Sequence, residues 1–268
     1  MPELPEVETV VRTLEKQIAG EEILAVDVRY AKIVEDDPKA FSRRLKGRHF
    51  LGFERRGKYL IFRLEDVTLA VHLRMEGKFF IQMPEEPFDR HVHVIFSLGS
   101  GRQLRYHDTR QFGRMKLYPK DLDLSDFHDL GPEPFAEAFD AAYLYAAAHR
   151  RNTPLKTMLL DQSVVAGVGN IYADEICFAV GLRPGMSCRR LTKPQCQRIV
   201  EETRSILHRA IQAGGTTIRS YTSSLGVTGL FQLETNIHAR THCARCGQEA
   251  KIKRIVGRSS YYCPSCQK

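Results

Sequence analysis

Two Cys-x2-Cys pairs, Cys243-Ala-Arg-Cys246 and Cys263-Pro-Ser-Cys266, stand sixteen residues apart at the end of this chain. Four thiolates at this spacing suit a tetrahedral Zn²⁺, each pair wrapping one side of the ion. Sulfur fills all four positions, so the expected zinc is structural and not catalytic. Between the pairs, KIKRIVGRSSYY alternates apolar and polar residues around Gly257. This predicts a β-hairpin whose tip carries Arg258. An arginine on a rigid tip can grip a phosphate; a solvated charge on a turn fits the composition equally well. Cys177, Cys188 and Cys196 fall in or beside helical segments and read as small buried or surface residues rather than ligands.

A metal role for the thiols goes with a reducing compartment. The opening MPELPEVETV is acidic and lacks the apolar centre of a signal peptide, so a cytoplasmic location is expected. Apolar runs are short and broken by charges, which argues against any membrane span. No Gly-x4-Gly-Lys-Ser/Thr run is present, so no nucleotide cofactor is implied.

The pattern along the 268 residues predicts an α+β chain of two domains. Val7, Val10, Val11, Leu14 and Ile18 follow helical spacing, with Pro5 in the first turn and Gly20 as terminator. From residue 23 to about 118 the texture is that of short strands (ILAVDVRY, KYLIFRL, TLAVHLRM, KFFIQM, HVHVIFSL, RQLRYHD, MKLYP). A β-sandwich or flattened barrel behind one N-terminal helix is the expected result. Gly131-Pro132-Glu133-Pro134 reads as a hinge or linker. Helices are then expected over 136–150, 155–160, 171–180 and 193–213, with Gly214-Gly215 closing the last. Residues 220–229, rich in Ser, Thr and Gly, read as a mobile loop.

The net charge of +8 and a pI near 9.2 suit a polyanionic partner. The charge is uneven. Residues 240–268 hold seven basic side chains against one acidic, Glu249, while Glu3, Glu6 and Glu8 make the start acidic.

MPELPEVETV, a Val-Gly-Asn-Ile-Tyr-Ala-Asp-Glu segment and the four-cysteine finger together resemble the bacterial formamidopyrimidine-DNA glycosylases, end to end. Leu4 after Pro-Glu is similar to that branch rather than to the sister endonuclease VIII branch. The resemblance implies an N-terminal β-sandwich with an N-terminal helix, then a helix-two-turns-helix domain with a β-hairpin zinc finger. The implied boundaries are 1–130 for the catalytic sandwich and 131–153 for a linker and first helix. The helix-two-turns-helix domain with its lesion loop then spans 154–234, and the finger 235–268. It also implies a monomer that acts on double-stranded DNA holding an oxidised base or an abasic site.

The implied chemistry is self-consistent. Loss of Met1 leaves Pro2 with a secondary amine, and α-amino groups titrate near ~8 against ~10.4 for lysine. Attack on the sugar C1′ gives an iminium that acidifies C2′–H and drives loss of the 3′ phosphate, and a second elimination can remove the 5′ phosphate. Glu3 is the implied proton shuttle. Glu6 is similar to a further family carboxylate, or is simply a favourable charge at a helix N-terminus. Lys58, His72, Asn170 and Arg258 resemble the family's phosphate-contacting positions. Asn170 is also expected to cap the helix that follows. Met75, Arg110 and Phe112 resemble the residues that fill the space left by a flipped-out nucleotide and meet its partner base. Without the resemblance, Met75 and Phe112 would read as core side chains, and Lys58 as a solvated lysine before a strand.

Two alternatives stand beside this reading. One is a related glycosylase for oxidised pyrimidines, against which Leu4 and the Arg110/Phe112 pair speak. The other is a non-catalytic zinc-finger protein that binds damaged or bent DNA, against which the retention of Pro2 and Glu3 speaks. The chain departs from the family wording at Ile237-His238-Ala239-Arg240, where a Val-Tyr-Gly-Arg-like run is usual. Alanine reaches positive φ less easily than glycine, so this turn is expected to differ.

Overall fold

A computed structural model describes residues 1–216 and 229–268. The chain forms two compact units. The first is Met1–Asp126 with the described part of Gly214–Gly229; the second is Phe127–Ala213 with Leu230–Lys268.

The first unit opens with helix α1 (Leu4–Ile18), whose Val7, Val10, Val11, Leu14 and Ile18 are all buried. Strands β1 (Ile23–Val28), β2 (Gly52–Arg56), β3 (Tyr59–Arg63), β4 (Val67–His72), β5 (Lys78–Gln82), β6 (Val92–Leu98), β7 (Gln103–His107) and β8 (Arg114–Pro119) follow. They make two four-stranded sheets, β1-β6-β7-β5 and β2-β3-β4-β8. Every pairing in them is antiparallel. The α1 stripe and both sheets share one core. Its aromatic centre is Phe50, set edge-on to Phe62 at 5.6 Å and to Phe96 at 6.4 Å.

The expected sandwich is therefore present, with two corrections. A second helix, α2 (Pro38–Leu45), lies between β1 and β2. Asp37 caps it by accepting from Ala40 N at 2.8 Å, and only Phe41 and Leu45 are buried. Such a one-turn stripe is too short to register as periodicity. Strand β2 was also not expected, because GFERR is mostly charged. Its arginines bury their stems and place their heads on Glu8 or on backbone carbonyls, Arg55 on Glu8 and Gly57 O and Arg56 on Leu124 O.

In the second unit, α3 (Ala141–His149) starts five residues later than expected. Asp140 caps it through Tyr143 N at 2.7 Å. The residues before it are not helical; the carbonyls of Pro134, Ala136 and Phe139 all accept from the Arg204 guanidinium at 2.9 Å. Gly131 N donates to Gln162 O at 2.8 Å, and Pro132 O accepts from Ala166 N at 3.0 Å. Helices α4 (Leu155–Leu160), α5 (Asn170–Ala179) and α6 (Lys193–Gln212) follow. Helix α6 begins with a capping box between Thr192 and Gln195 and ends before Gly214 at φ 74°. Antiparallel β9 (Lys251–Ile255) and β10 (Arg258–Tyr262) form the expected hairpin, and α5 packs against β10. Among the described residues, no helix is long and apolar enough to cross a membrane.

Candidate active site and nucleic-acid interface

The start of α1 is built around two buried carboxylates, Glu3 and Glu6. Glu6 Oε2 accepts the Glu3 amide at 2.8 Å, the return half of a capping box. Its other oxygen accepts from Thr216 N at 2.7 Å and Thr216 Oγ1 at 2.9 Å. Glu6 thus ties the first helical turn to the residues just before 217–228. Pro2 is buried directly in front of this turn.

Burial lowers the pKa of the amino terminus, on Met1, below its ordinary value, and Lys58 adds to that effect. Glu3, Glu6 and Glu76 oppose it. The chain start, two carboxylates of α1 and the lysine are therefore neighbours in one unit. Lys58 is only 6 % exposed, which rules out the solvated-lysine reading. It sits in the two-residue turn joining β2 to β3, where Arg56 pairs with Tyr59. Arg55 holds this turn, reaching Gly57 O at 3.0 Å and Glu8 Oε2 of α1 at 3.0 Å.

His72 ends β4, nearly sealed, with its ring edge-on to Tyr59 at 4.6 Å. Its Nδ1 accepts from Arg74 N at 2.9 Å, which places the ring proton on Nε2. Burial, then the charges of Arg74 and Lys58, pull its pKa down to about 3. His72 is therefore a neutral hydrogen-bond donor at any ordinary pH.

Met75 lies half-buried in the tight turn after β4, and Phe112 is 48 % exposed, so neither is a core side chain. Phe112 and Arg110 occupy the loop between β7 and β8, the Arg110 guanidinium standing over the Phe112 ring at 4.8 Å. Sequence reasoning missed the residue that shapes this loop. Asp108 is fully buried and accepts three loop amides: Arg110 N at 3.0 Å, and Phe112 N and Gly113 N at 2.9 Å each. Its own signal was an aspartate opening a short polar run, a loop-organising pattern. The two loops meet at the buried Tyr106 hydroxyl. A Cβ at Gly77 would lie 2.3 Å from that oxygen and one at Gly113 only 1.6 Å from it, so both positions require glycine. Thr109 further donates to Glu76, binding loop to loop.

The second unit carries Asn170 and Arg258. Asn170 is not the helix cap expected of it. Gly169 holds that position and Asn170 is the first helical residue, so its amide is not consumed in capping. Its Oδ1 is buried without a hydrogen-bond partner among the described residues. The preceding turn is organised by Gln162, which donates to Leu160 O and Val168 O and accepts from Gly167 N, at 2.8 to 2.9 Å. Arg258 opens β10 directly after the hairpin turn.

Cys243, Cys246, Cys263 and Cys266 bring their sulfurs within 4.8 Å of one another. Cys243 to Cys266 is 3.9 Å and Cys246 to Cys263 is 3.5 Å. A tetrahedral ion with Zn–S bonds of about 2.3 Å sets its sulfurs about 3.8 Å apart. The residues fit a structural zinc. Cys177, Cys188 and Cys196 are buried and lie outside this cluster.

The lead-in to the finger is fastened to α5. Glu175 accepts from Asn236 N, Ile237 N and His238 N at 2.8 to 2.9 Å. His238 Nδ1 reaches Asp174 Oδ2 at 2.8 Å, and its ring packs on Tyr261 at 5.0 Å. The altered Ile-His-Ala-Arg wording keeps a left-handed turn after all: Ala239 stands at φ 58°. Of the lesion-loop segment 220–229, all but Gly229 lies outside the described residues.

A β-sandwich opening on a buried carboxylate pair, and a helical unit ending in a four-cysteine hairpin, define a two-unit protein of zinc-finger type. Residues 1–115 match the formamidopyrimidine-DNA glycosylase N-terminal domain, and residues 130–222 match the H2TH domain of the same proteins. The formamidopyrimidine-DNA glycosylase of Bacillus licheniformis is 44 % identical across the whole of both chains. That of Bacillus subtilis is 42 % identical over all of this chain and 99 % of its own. Among solved structures, a Lactococcus lactis Fpg mutant in complex with Fapy-dG DNA superposes over all of both chains, with a TM-score of 0.94 at 37 % identity. The chain belongs to the formamidopyrimidine-DNA glycosylase family.

Proposed function

We infer that this chain is a bifunctional DNA glycosylase and abasic-site lyase of base excision repair. It removes oxidised purines, 8-oxoguanine and formamidopyrimidines, from duplex DNA. The relatives bear that enzyme's name, and similar Lactococcus lactis structures hold Fapy-dG or abasic-site DNA. The observation that carries the reading for this chain is the placement of Pro2, buried directly in front of the buried carboxylates Glu3 and Glu6, with Lys58 also buried and close to the chain start.

Removal of Met1 leaves the Pro2 amine as nucleophile in these surroundings. The nitrogen lone pair attacks C1′, and the C1′–base bond breaks as the base leaves. Glu3 moves the proton that the opening sugar oxygen requires. The resulting iminium withdraws electrons from C2′, so the C2′ proton leaves and the C3′–O bond breaks, releasing the 3′ phosphate. Loss of the 5′ phosphate by a second elimination, and hydrolysis of the imine, return the free amine.

Lys58, His72, Asn170 and Arg258 hold backbone phosphates flanking the lesion, His72 as a neutral Nε2–H donor. Met75, Phe112 and Arg110 fill the vacated stack, and Arg110 meets the orphaned base. The zinc, when bound to its four cysteines, holds the hairpin that presents Arg258 and takes no part in the reaction. The working divisions are the sandwich 1–130, linker and first helix 131–153, DNA-binding and lesion-loop region 154–234, and finger 235–268. A cytoplasmic location fits a four-thiolate metal site, which a reducing compartment preserves, and action as a monomer is the expectation that goes with the family.

A duplex with one 8-oxoguanine opposite cytosine tests this reading. The expected product is a one-nucleotide gap flanked by phosphates on both sides. Cutting confined to duplexes with oxidised pyrimidines would move the chain to the sister specificity.

A further inference from the structure

The finger hairpin ends in a conformation its sequence resists. Ile255 pairs with Arg258, so Val256-Gly257 is a two-residue turn. Both residues are left-handed, Val256 at φ 44° and Gly257 at φ 77°. Asn-Gly or Gly-Gly meets such a turn without strain, whereas a β-branched side chain there is an outlier. Nor does packing within the chain offset the strain: Val256 is 72 % exposed, while its neighbour Ile255 is 7 % exposed. An apolar, strained residue is thus held out at the tip. It shares a recess of about 370 Å³ with Arg258, Arg151, Thr153 and Thr157.

The surroundings say what covers it. Lys253, Arg254 and Arg258 are exposed on the same hairpin. A surface that alternates cations with an apolar tip matches a nucleic-acid backbone, in which phosphates alternate with the carbon faces of the sugars. We propose that Val256 is a DNA-contacting residue, lying against a deoxyribose next to the phosphate that Arg258 grips. This rests on the DNA-glycosylase reading above. The strain at the tip is retained because the bound DNA buries the isopropyl group.

The test titrates a fluorescent duplex holding a tetrahydrofuran abasic analogue, which cannot form an imine, with wild type, Val256→Asn, Val256→Ala and Arg258→Ala, across a salt series. Thermal unfolding of each is measured in parallel. Val256→Asn is expected to unfold at a higher temperature and yet bind about three- to tenfold more weakly. Its slope of log affinity against log salt stays that of wild type, because no phosphate contact is lost, whereas Arg258→Ala flattens the slope. Val256→Ala sheds the β-branching but keeps a Cβ at positive φ, so it gains less stability than Val256→Asn, and having lost the methyls it too binds more weakly. Val256→Asn binding as tightly as wild type, or unfolding at a lower temperature, overturns the proposal. Wild type failing to bind the duplex overturns the underlying reading, and this inference with it.

Discussion

Lys156 Nζ lies 2.7 Å from Asp174 Oδ1, both side chains sealed from solvent, and the same ammonium donates to Ser259 O at 2.8 Å. Asp174 Oδ2 meets His238 at 2.8 Å. One buried carboxylate therefore joins α4, α5, the lead-in to the finger and the strand that begins with Arg258. Removing one partner of such a pair leaves an uncompensated buried charge. Asp174→Ala should lower stability by about 3–5 kcal/mol in denaturant unfolding. A loss under about 1 kcal/mol would place the junction's strength elsewhere.

The contact between Gly113 and Tyr106 sets the loop of Arg110 and Phe112. A Cβ at Gly113 would sit 1.6 Å from the tyrosine oxygen and 2.7 Å from Cζ. Gly113→Ala should displace the loop, at an overpacking cost of about 1–3 kcal/mol, and reduce lesion excision. Adding Tyr106→Phe removes the nearest atom, so the double variant should recover part of the lost rate. Excision assays on the two variants check this, and no recovery would exclude the contact as cause.

His72 links pH to stability. Its folded pKa is about 3, below the ordinary 6.5, because burial and the nearby Arg74 and Lys58 charges oppose protonation. The unfolded chain therefore binds this proton first. The stability His72 contributes is complete above about 6.5 and declines as pH falls from there toward about 3. His72→Asn should unfold with a shallower loss of stability across that window than wild type. Parallel slopes would contradict a neutral buried ring.

Chelation should act on the finger. Withdrawing zinc leaves four thiols that repel when ionised and no longer hold the hairpin. DNA affinity should fall sharply, while the near-ultraviolet signal of the sandwich aromatics changes little. Re-adding zinc should restore binding.

Much of this architecture was legible because its signals are local. The α1 stripe, seven of eight sandwich strands and the cysteine spacing each announce themselves within a few residues. What was hidden depends on distant partners. Strand β2 tolerates its charges because Arg55 finds Glu8 of α1 and Glu54 is met by Arg63 of the neighbouring β3. Helix α3 starts late because residues 134–139 give their carbonyls to Arg204, some 65 residues on. Ala239 takes a left-handed turn that composition alone disfavours, in a lead-in held by Glu175. In the candidate site, Asp108 and Gln162 carry no distinctive motif. Their importance lies in backbone groups that only the folded loops bring to them.

The central claim is that the amine of Pro2, once Met1 is lost, does the chemistry. Borohydride trapping on a duplex with 8-oxoguanine opposite cytosine, followed by mass spectrometry of the adduct, tests it most directly. The account predicts a stable protein–DNA complex linked through Pro2. Tight binding with no adduct, on this duplex or on one with an abasic site, would contradict it and leave a protein that grips damaged DNA without cutting it.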